Sequence, residues 1–92
     1  MPTAAQEEWV RLETLLDSLP DSEVPCRADP APWWPEGKGV HSADTLAAID
    51  ACRSCRAQGA CLDYALAADE RFGIWGGTLP ELRREMRQPS AA

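Results

Sequence analysis

Four cysteines, Cys26, Cys52, Cys55 and Cys61, constrain this chain more than any other feature, and their spacing is C-x25-C-x2-C-x5-C. They are all the cysteines among its 92 residues. A chain of this length makes one domain whose core alone gives a thin margin of stability, so a covalent or metal staple matters. Four thiols in so short a chain mean a metal centre or a disulfide framework. The N-terminal run MPTAAQEEWVRLETLL is acidic where a secretory signal is basic. No stretch reaches the roughly 18 apolar residues of a membrane span. The expectation is a cytoplasmic chain, and in a reducing compartment thiols bind metal more often than they form stable disulfides.

The spacing also bears on which metal. Cys52 and Cys55 can chelate one centre from a single turn, and Cys61 reaches it from the start of the next helix. Cys26 must come from a distant loop, tying the N-terminal half to the rest. Thiolates select zinc, copper(I) or iron–sulfur clusters. Structural zinc usually takes two close cysteine pairs, whereas clusters take four cysteines. With only one close pair, the spacing leans to a cluster and leaves zinc open. A redox dithiol at Cys52-Arg53-Ser54-Cys55, with Arg53 and Arg56 as nearby cations, would need a βαβ context that the sequence lacks.

The pattern predicts an all-α class. Residues 4–19 form an amphipathic helix opened by a Thr3/Gln6 capping box, with Trp9, Leu12, Leu15, Leu16 and Leu19 on one face and Glu7–Arg11 as an ion pair. Trp9 on that stripe is expected in the core or packed against another helix. Pro25, Pro30, Pro32 and Pro35 with Gly37 and Gly39 make residues 25–40 a loop, one that carries the adjacent Trp33 and Trp34. Ser42 caps a second helix over 43–52, with Leu46 and Ile49 as its apolar face. Gly59 breaks the chain before a third helix at 60–71. Gly73-Ile74-Trp75-Gly76-Gly77 is a turn. Thr78 then caps a fourth helix with Pro80 in its first turn and Leu79, Leu82 and Met86 as its stripe. His41 is expected at the surface, and Pro89-Ser90-Ala91-Ala92 as a frayed end.

The net charge of −6 is uneven: six acids and one Arg in residues 1–25, seven acids and five bases in 26–77, two acids and three Arg in 78–92. Phosphate neutralisation by Lys and Arg dominates DNA affinity, so the balance fits a protein partner with a basic surface better than independent DNA binding.

Three segments in order resemble the WhiB-like family of actinobacteria and their phages: the four cysteines, Cys26-Arg27-Ala28-Asp29-Pro30 with Trp33-Trp34-Pro35, and Gly73-Ile74-Trp75-Gly76-Gly77. In that family the aromatic pair is more often Phe-Phe. The resemblance implies a small four-helix domain wrapped around a 4Fe–4S cluster, with Cys26, Cys52, Cys55 and Cys61 as ligands. The implied division is an acidic helix and linker at 1–23, the iron–sulfur domain at 24–88 and a tail at 89–92. The implied partner is the C-terminal domain of the primary sigma factor within RNA polymerase, contacted by Trp33, Trp34, Trp75, Gly73, Ile74, Gly76 and Gly77. Loss of the centre would free the cysteines and dissolve that patch, coupling redox state to transcription. Many members extend into a Lys/Arg-rich tail that contacts DNA. Here fifteen residues follow Gly77, and Arg83, Arg84 and Arg87 are the candidate DNA contacts. The expectation is a regulator that modulates or blocks sigma function, with DNA contact weak or only in complex. An activator or repressor contacting DNA through those Arg, a disulfide reductase using Cys52 and Cys55, and a zinc-stapled adaptor are the alternatives. No enzyme activity and no small-molecule substrate are expected.

Overall fold

A computed structural model describes residues 2–35 and 42–87. It carries five α-helices: α1 (Ala4–Asp17), α2 (Pro25–Ala28), α3 (Ala43–Arg53), α4 (Gln58–Ala68) and α5 (Pro80–Arg87). Two 3-10 turns, Asp21–Glu23 and Ala31–Trp33, lie between them. The described residues contain no strand, only an isolated bridge between Trp75 and Thr78. The all-α expectation holds, with α2 added to the four anticipated helices. His41, Gly37, Gly39 and the expected frayed end fall outside the described residues.

Local chemistry explains most boundaries. Thr3 accepts from the Gln6 backbone N–H while the Gln6 side chain accepts from the Thr3 N–H, the reciprocal box expected for α1. Ser42 caps α3 through the Thr45 N–H at 3.2 Å. Helix α4 starts earlier than expected, because Gly59 sits inside its first turn and does not break it. It stops at Asp69, whose left-handed backbone (φ 54°) turns its N–H back to Ala65 and Leu66 carbonyls.

Other expectations fail for identifiable reasons. The region 25–40 is not all loop: Pro25 occupies the first position of α2, where its missing N–H costs nothing. Glu7 does not pair with Arg11; Glu8 does, at 3.5 Å and one residue closer. Leu46 points to solvent, and α3 buries Thr45, Ala48 and Cys52 instead. Thr78 does not cap α5. Its hydroxyl donates to the Trp75 carbonyl at 2.6 Å, closing the turn that precedes the helix.

Two apolar clusters hold the elements together. Leu12, Leu19, Val24 and Ala57 form one, with Leu15, Leu16, Tyr64 and Trp75 packed around it, so α1 lies against α4. Ala48, Cys52 and Ile74 form the other, with Trp33, Ile49 and Leu79 against it. Arg27 fastens α2 to the end of α1: its guanidinium donates to the Leu16 carbonyl at 3.0 Å, the Leu19 carbonyl at 3.3 Å and Asp21 at 3.1 Å. Those carbonyls lie at a helix end, where backbone acceptors have no intrahelical partner.

Helix α5 reverses the expected pattern. Leu82 and Met86 are exposed, while Arg83 is 2% exposed. Its guanidinium donates to the carbonyls of Glu70 (3.1 Å), Gly73 (3.0 Å) and Thr78, and to the Thr78 hydroxyl (3.1 Å). A buried guanidinium is tolerated only when its donors are matched in this way. Arg83 is thus the peg that locks α5 and the glycine-rich turn to the end of α4. Arg83→Met should lower the unfolding free energy by about 2–5 kcal/mol through orphaned carbonyls, while Arg84→Met on the exposed face stays within about 0.5 kcal/mol. Urea denaturation of the two variants checks this, and equal effects would refute the role given to Arg83.

Candidate metal centre

All four cysteines line one cavity of about 270 Å³. Each arrives on a different piece of structure. Cys26 sits on α2, Cys52 in the last turn of α3, Cys55 in the α3–α4 turn and Cys61 in the first half of α4. The short connection is stapled by its own backbone: the Cys55 N–H donates to the Cys52 carbonyl at 3.0 Å, and Gln58 N–H to the Cys55 carbonyl at 3.1 Å. All four are free thiols, with Cys26 exposed, Cys52 buried and the other two between.

The remaining walls are apolar. Leu12 and Val24 contribute from the first core cluster, Ile74 from the second, and Trp9, Trp33, Trp34 and Trp75 complete the lining. Such a pocket resists bare thiolates. Burial pushes the Cys61 thiol up to about 12, with the negative charges of Cys52, Cys26 and Cys55 adding to it and the Gly76 backbone N–H opposing. Cys26 is also raised, first by burial and then by Cys55 and Cys52. Four thiolates can share this space only around a cationic centre.

The four cysteines surround one void. Four thiolates are the donor set of an iron–sulfur cluster and also of a structural zinc.

The turn Gly73-Ile74-Trp75-Gly76-Gly77 forms one wall, and its glycines are there for backbone reasons. Gly73, Gly76 and Gly77 have φ of 81°, 56° and 77°, a region side chains disfavour. A Cβ on Gly73 would lie 2.7 Å from the Trp34 ring, and one on Gly76 2.7 Å from Leu62 Cβ. Trp75 N–H and Thr78 N–H exchange bonds with each other's carbonyls, and the Gln58 side chain donates to the Gly76 carbonyl at 3.3 Å. Ile74 N–H donates to the Trp33 carbonyl at 2.7 Å, so the turn and the tryptophan pair are one unit.

The aromatic rings form a band rather than separate contacts. Trp9 meets Tyr64 at 5.1 Å between centroids, Tyr64 meets Trp75 at 5.3 Å, and Trp75 meets Trp34 edge-on at 6.2 Å. Trp34 is 50% exposed and Trp9 43%. Trp9 packs against Tyr64 of α4, the helix-packing role expected for it rather than a place in the core, and it also lines the cavity. Ile74, Gly73 and Gly76 are buried, and Trp75 and Gly77 are partly buried.

The three C-terminal Arg separate. Arg83 is removed from the candidate DNA contacts by its burial. Arg87 bonds the Leu66 carbonyl and lies 3.8 Å from Asp69. Arg84 is exposed. Residue patterning missed Arg27, Gln58 and Arg83 as supports of the site, because each acts on backbone carbonyls that no side-chain motif advertises.

A small all-α domain with four cysteines around an aromatic-walled cavity defines the class. The family model described as transcription factor WhiB matches residues 22–86. WhiB2 of Mycobacterium tuberculosis (strain ATCC 25618 / H37Rv) is 34% identical over 88 residues, covering 96% of this chain and 83% of that protein. WhiB2 of Mycolicibacterium smegmatis is 34% identical over 87 residues, and the chain spans 57% of its length. WhiB of Streptomyces coelicolor is 42% identical over 62 residues, 67% of each chain. This chain belongs to the WhiB family, whose matched relatives are named as transcriptional regulators. Among the described residues no helix is long and apolar enough to cross a membrane.

Burial of the thiols makes the metal-free chain alkali-sensitive. Unfolding returns Cys61 from about 12 to its ordinary 9.0. The folded form therefore keeps a proton that the unfolded form gives up, and stability is full below pH 9 and lost as pH rises toward 12. Thermal midpoints of the reduced apo chain across that range should fall, and fall less in Cys61→Ala. A flat wild-type curve would contradict the burial.

Proposed function

We propose that this chain is a 4Fe–4S-binding, redox-responsive transcriptional regulator that docks through Trp33, Trp34 and Trp75 onto the C-terminal domain of the primary sigma factor, modulating or blocking promoter use. The observation that carries the reading is shared architecture: Trp33, Trp34 and Trp75 wall the cavity lined by the four cysteines, and Trp34 is at the same time half exposed to solvent. Cys26, Cys52, Cys55 and Cys61 would hold the cluster. When bound, it supplies a redox-sensitive cross-link between α2, α3 and α4.

The chain's own residues do the rest. Cys26 pins α2 and, through it, the turn bearing Trp33 and Trp34. Cys52 and Cys61 fix α3 and α4, against which the Trp75 turn is closed. Freed from those attachments, the segment around Trp33 keeps its bonds to Ile74 and Cys52 but loses the tie through Cys26, so ligation and patch assembly are coupled. A relative, WhiB3 of Mycolicibacterium smegmatis, is named redox-responsive; it matches 45% of this chain at 46% identity.

Charge and arginine placement favour the protein partner over DNA. The chain carries −6 overall. Of the three C-terminal Arg, one is buried, one is engaged by Asp69 and the Leu66 carbonyl, and only Arg84 stands clear of these bonds. A single Arg supplies little counterion release. The reductase alternative needs an accessible dithiol, and Cys52 is buried.

Titrating anaerobically prepared protein with the sigma C-terminal domain tests the reading. Trp75→Ala should weaken binding by about 2 kcal/mol or more, the scale of an aromatic hot spot, and Arg84→Ala should leave it within a factor of about two. Tight binding of the isolated protein to promoter DNA at physiological salt, or sigma binding indifferent to Trp75, would overturn it.

A further inference from the structure

Trp33 stands apart from the rings of the band. Its indole Nε1–H donates to Cys52 Sγ at 3.2 Å. Its backbone carbonyl accepts from Ile74 N–H at 2.7 Å, and its own N–H is held by Pro30 at 3.0 Å. The ring packs against the cluster of Ala48, Cys52 and Ile74. The donor is therefore fixed from three sides, and it is aimed at the most buried of the four sulfurs.

We propose that Trp33 is the tuning residue of the metal centre: its indole N–H stabilises negative charge on the Cys52 sulfur and so raises the reduction potential of the bound cluster. The inference rests on the iron–sulfur reading above and adds to it a residue that ligates nothing. A hydrogen bond to a charged acceptor is roughly twice as strong as a neutral one. Hydrogen bonds to ligand sulfurs are among the levers by which a protein sets a cluster's potential. The reduced centre carries one more negative charge than the oxidised one, and its ligand sulfurs share it. A donor at Cys52 therefore favours the reduced form, and removing the donor lowers the potential. The same residue holds the Ile74 turn through its carbonyl, so Trp33 touches both the ligand that feels the redox state and the wall that presents Trp34 and Trp75.

The effect of the N–H is separable from that of the ring. Trp33→Phe removes the donor and some volume. Replacing Trp33 by β-(3-benzothienyl)alanine exchanges the N–H for sulfur at nearly constant shape. Holoprotein of all three forms, prepared anaerobically, is titrated with dithionite and followed by electron paramagnetic resonance, with iron counted in each. The expected result is a midpoint about 59 mV more negative in both donorless forms, a tenfold change in the one-electron equilibrium, at unchanged iron content. Unchanged potentials in both would overturn the proposal and leave Trp33 as packing. A shift in the Phe form alone would overturn it too, because lost volume would then be the cause. A wild-type chain that assembles no iron–sulfur centre would overturn both this inference and the cofactor reading, whereas loaded variants with equal potentials would overturn this inference only.

Discussion

Gathering four thiols around one apolar cavity is the constraint on which the rest of this structure depends. The pocket that pushes Cys61 up to about 12 is hostile to the charged form that metal ligation needs. Only a cationic centre reconciles four thiolates with walls of Leu12, Val24, Ile74 and tryptophan. A centre held there would also be a structural device. Cys26, Cys52 and Cys61 belong to three helices, and whatever they jointly hold fixes those helices relative to one another. A core formed by two small clusters leaves room for such a staple to matter.

The functional surface is built from backbone as much as from side chains. Three glycines with positive φ let the chain fold tightly enough for Trp75 to lie across Tyr64 and Trp34. Arg83, turned inward, holds that turn by its carbonyls, and Arg27 holds α2 by the carbonyls ending α1. Both spend a charge on positioning that would otherwise face solvent. An arginine whose donors are matched to carbonyls beside the cysteine cavity cannot also neutralise phosphate.

Much of this was legible in the sequence where a side chain and its spacing act locally. The cysteine spacing, the Thr3 box, the Ser42 cap and the glycine-rich turn each follow from contacts within a few residues. What escaped depends on partners distant in the chain. The stripe Leu82–Met86 has helical periodicity, yet α5 docks through Arg83, because carbonyls of Glu70, Gly73 and Thr78 converge there. Leu46 fits the α3 pattern, but the helix turns Thr45, Ala48 and Cys52 inward to meet the cavity side of the fold. Pro25 and Pro30 read as loop markers, yet each opens or adjoins a short helical turn that sets Cys26 and Trp33 in place. Trp33 was expected at an interface from its residue type; its bond to Cys52 required the folded chain.

Iron and acid-labile sulfide counted per chain in anaerobically purified protein, alongside its visible and paramagnetic resonance spectra, test the central claim most directly. The account predicts about four irons and an equal amount of sulfide per chain, lost together when Cys26, Cys52, Cys55 or Cys61 is changed to Ser. A colourless protein holding one zinc, or one with four titratable thiols and no metal, would contradict it.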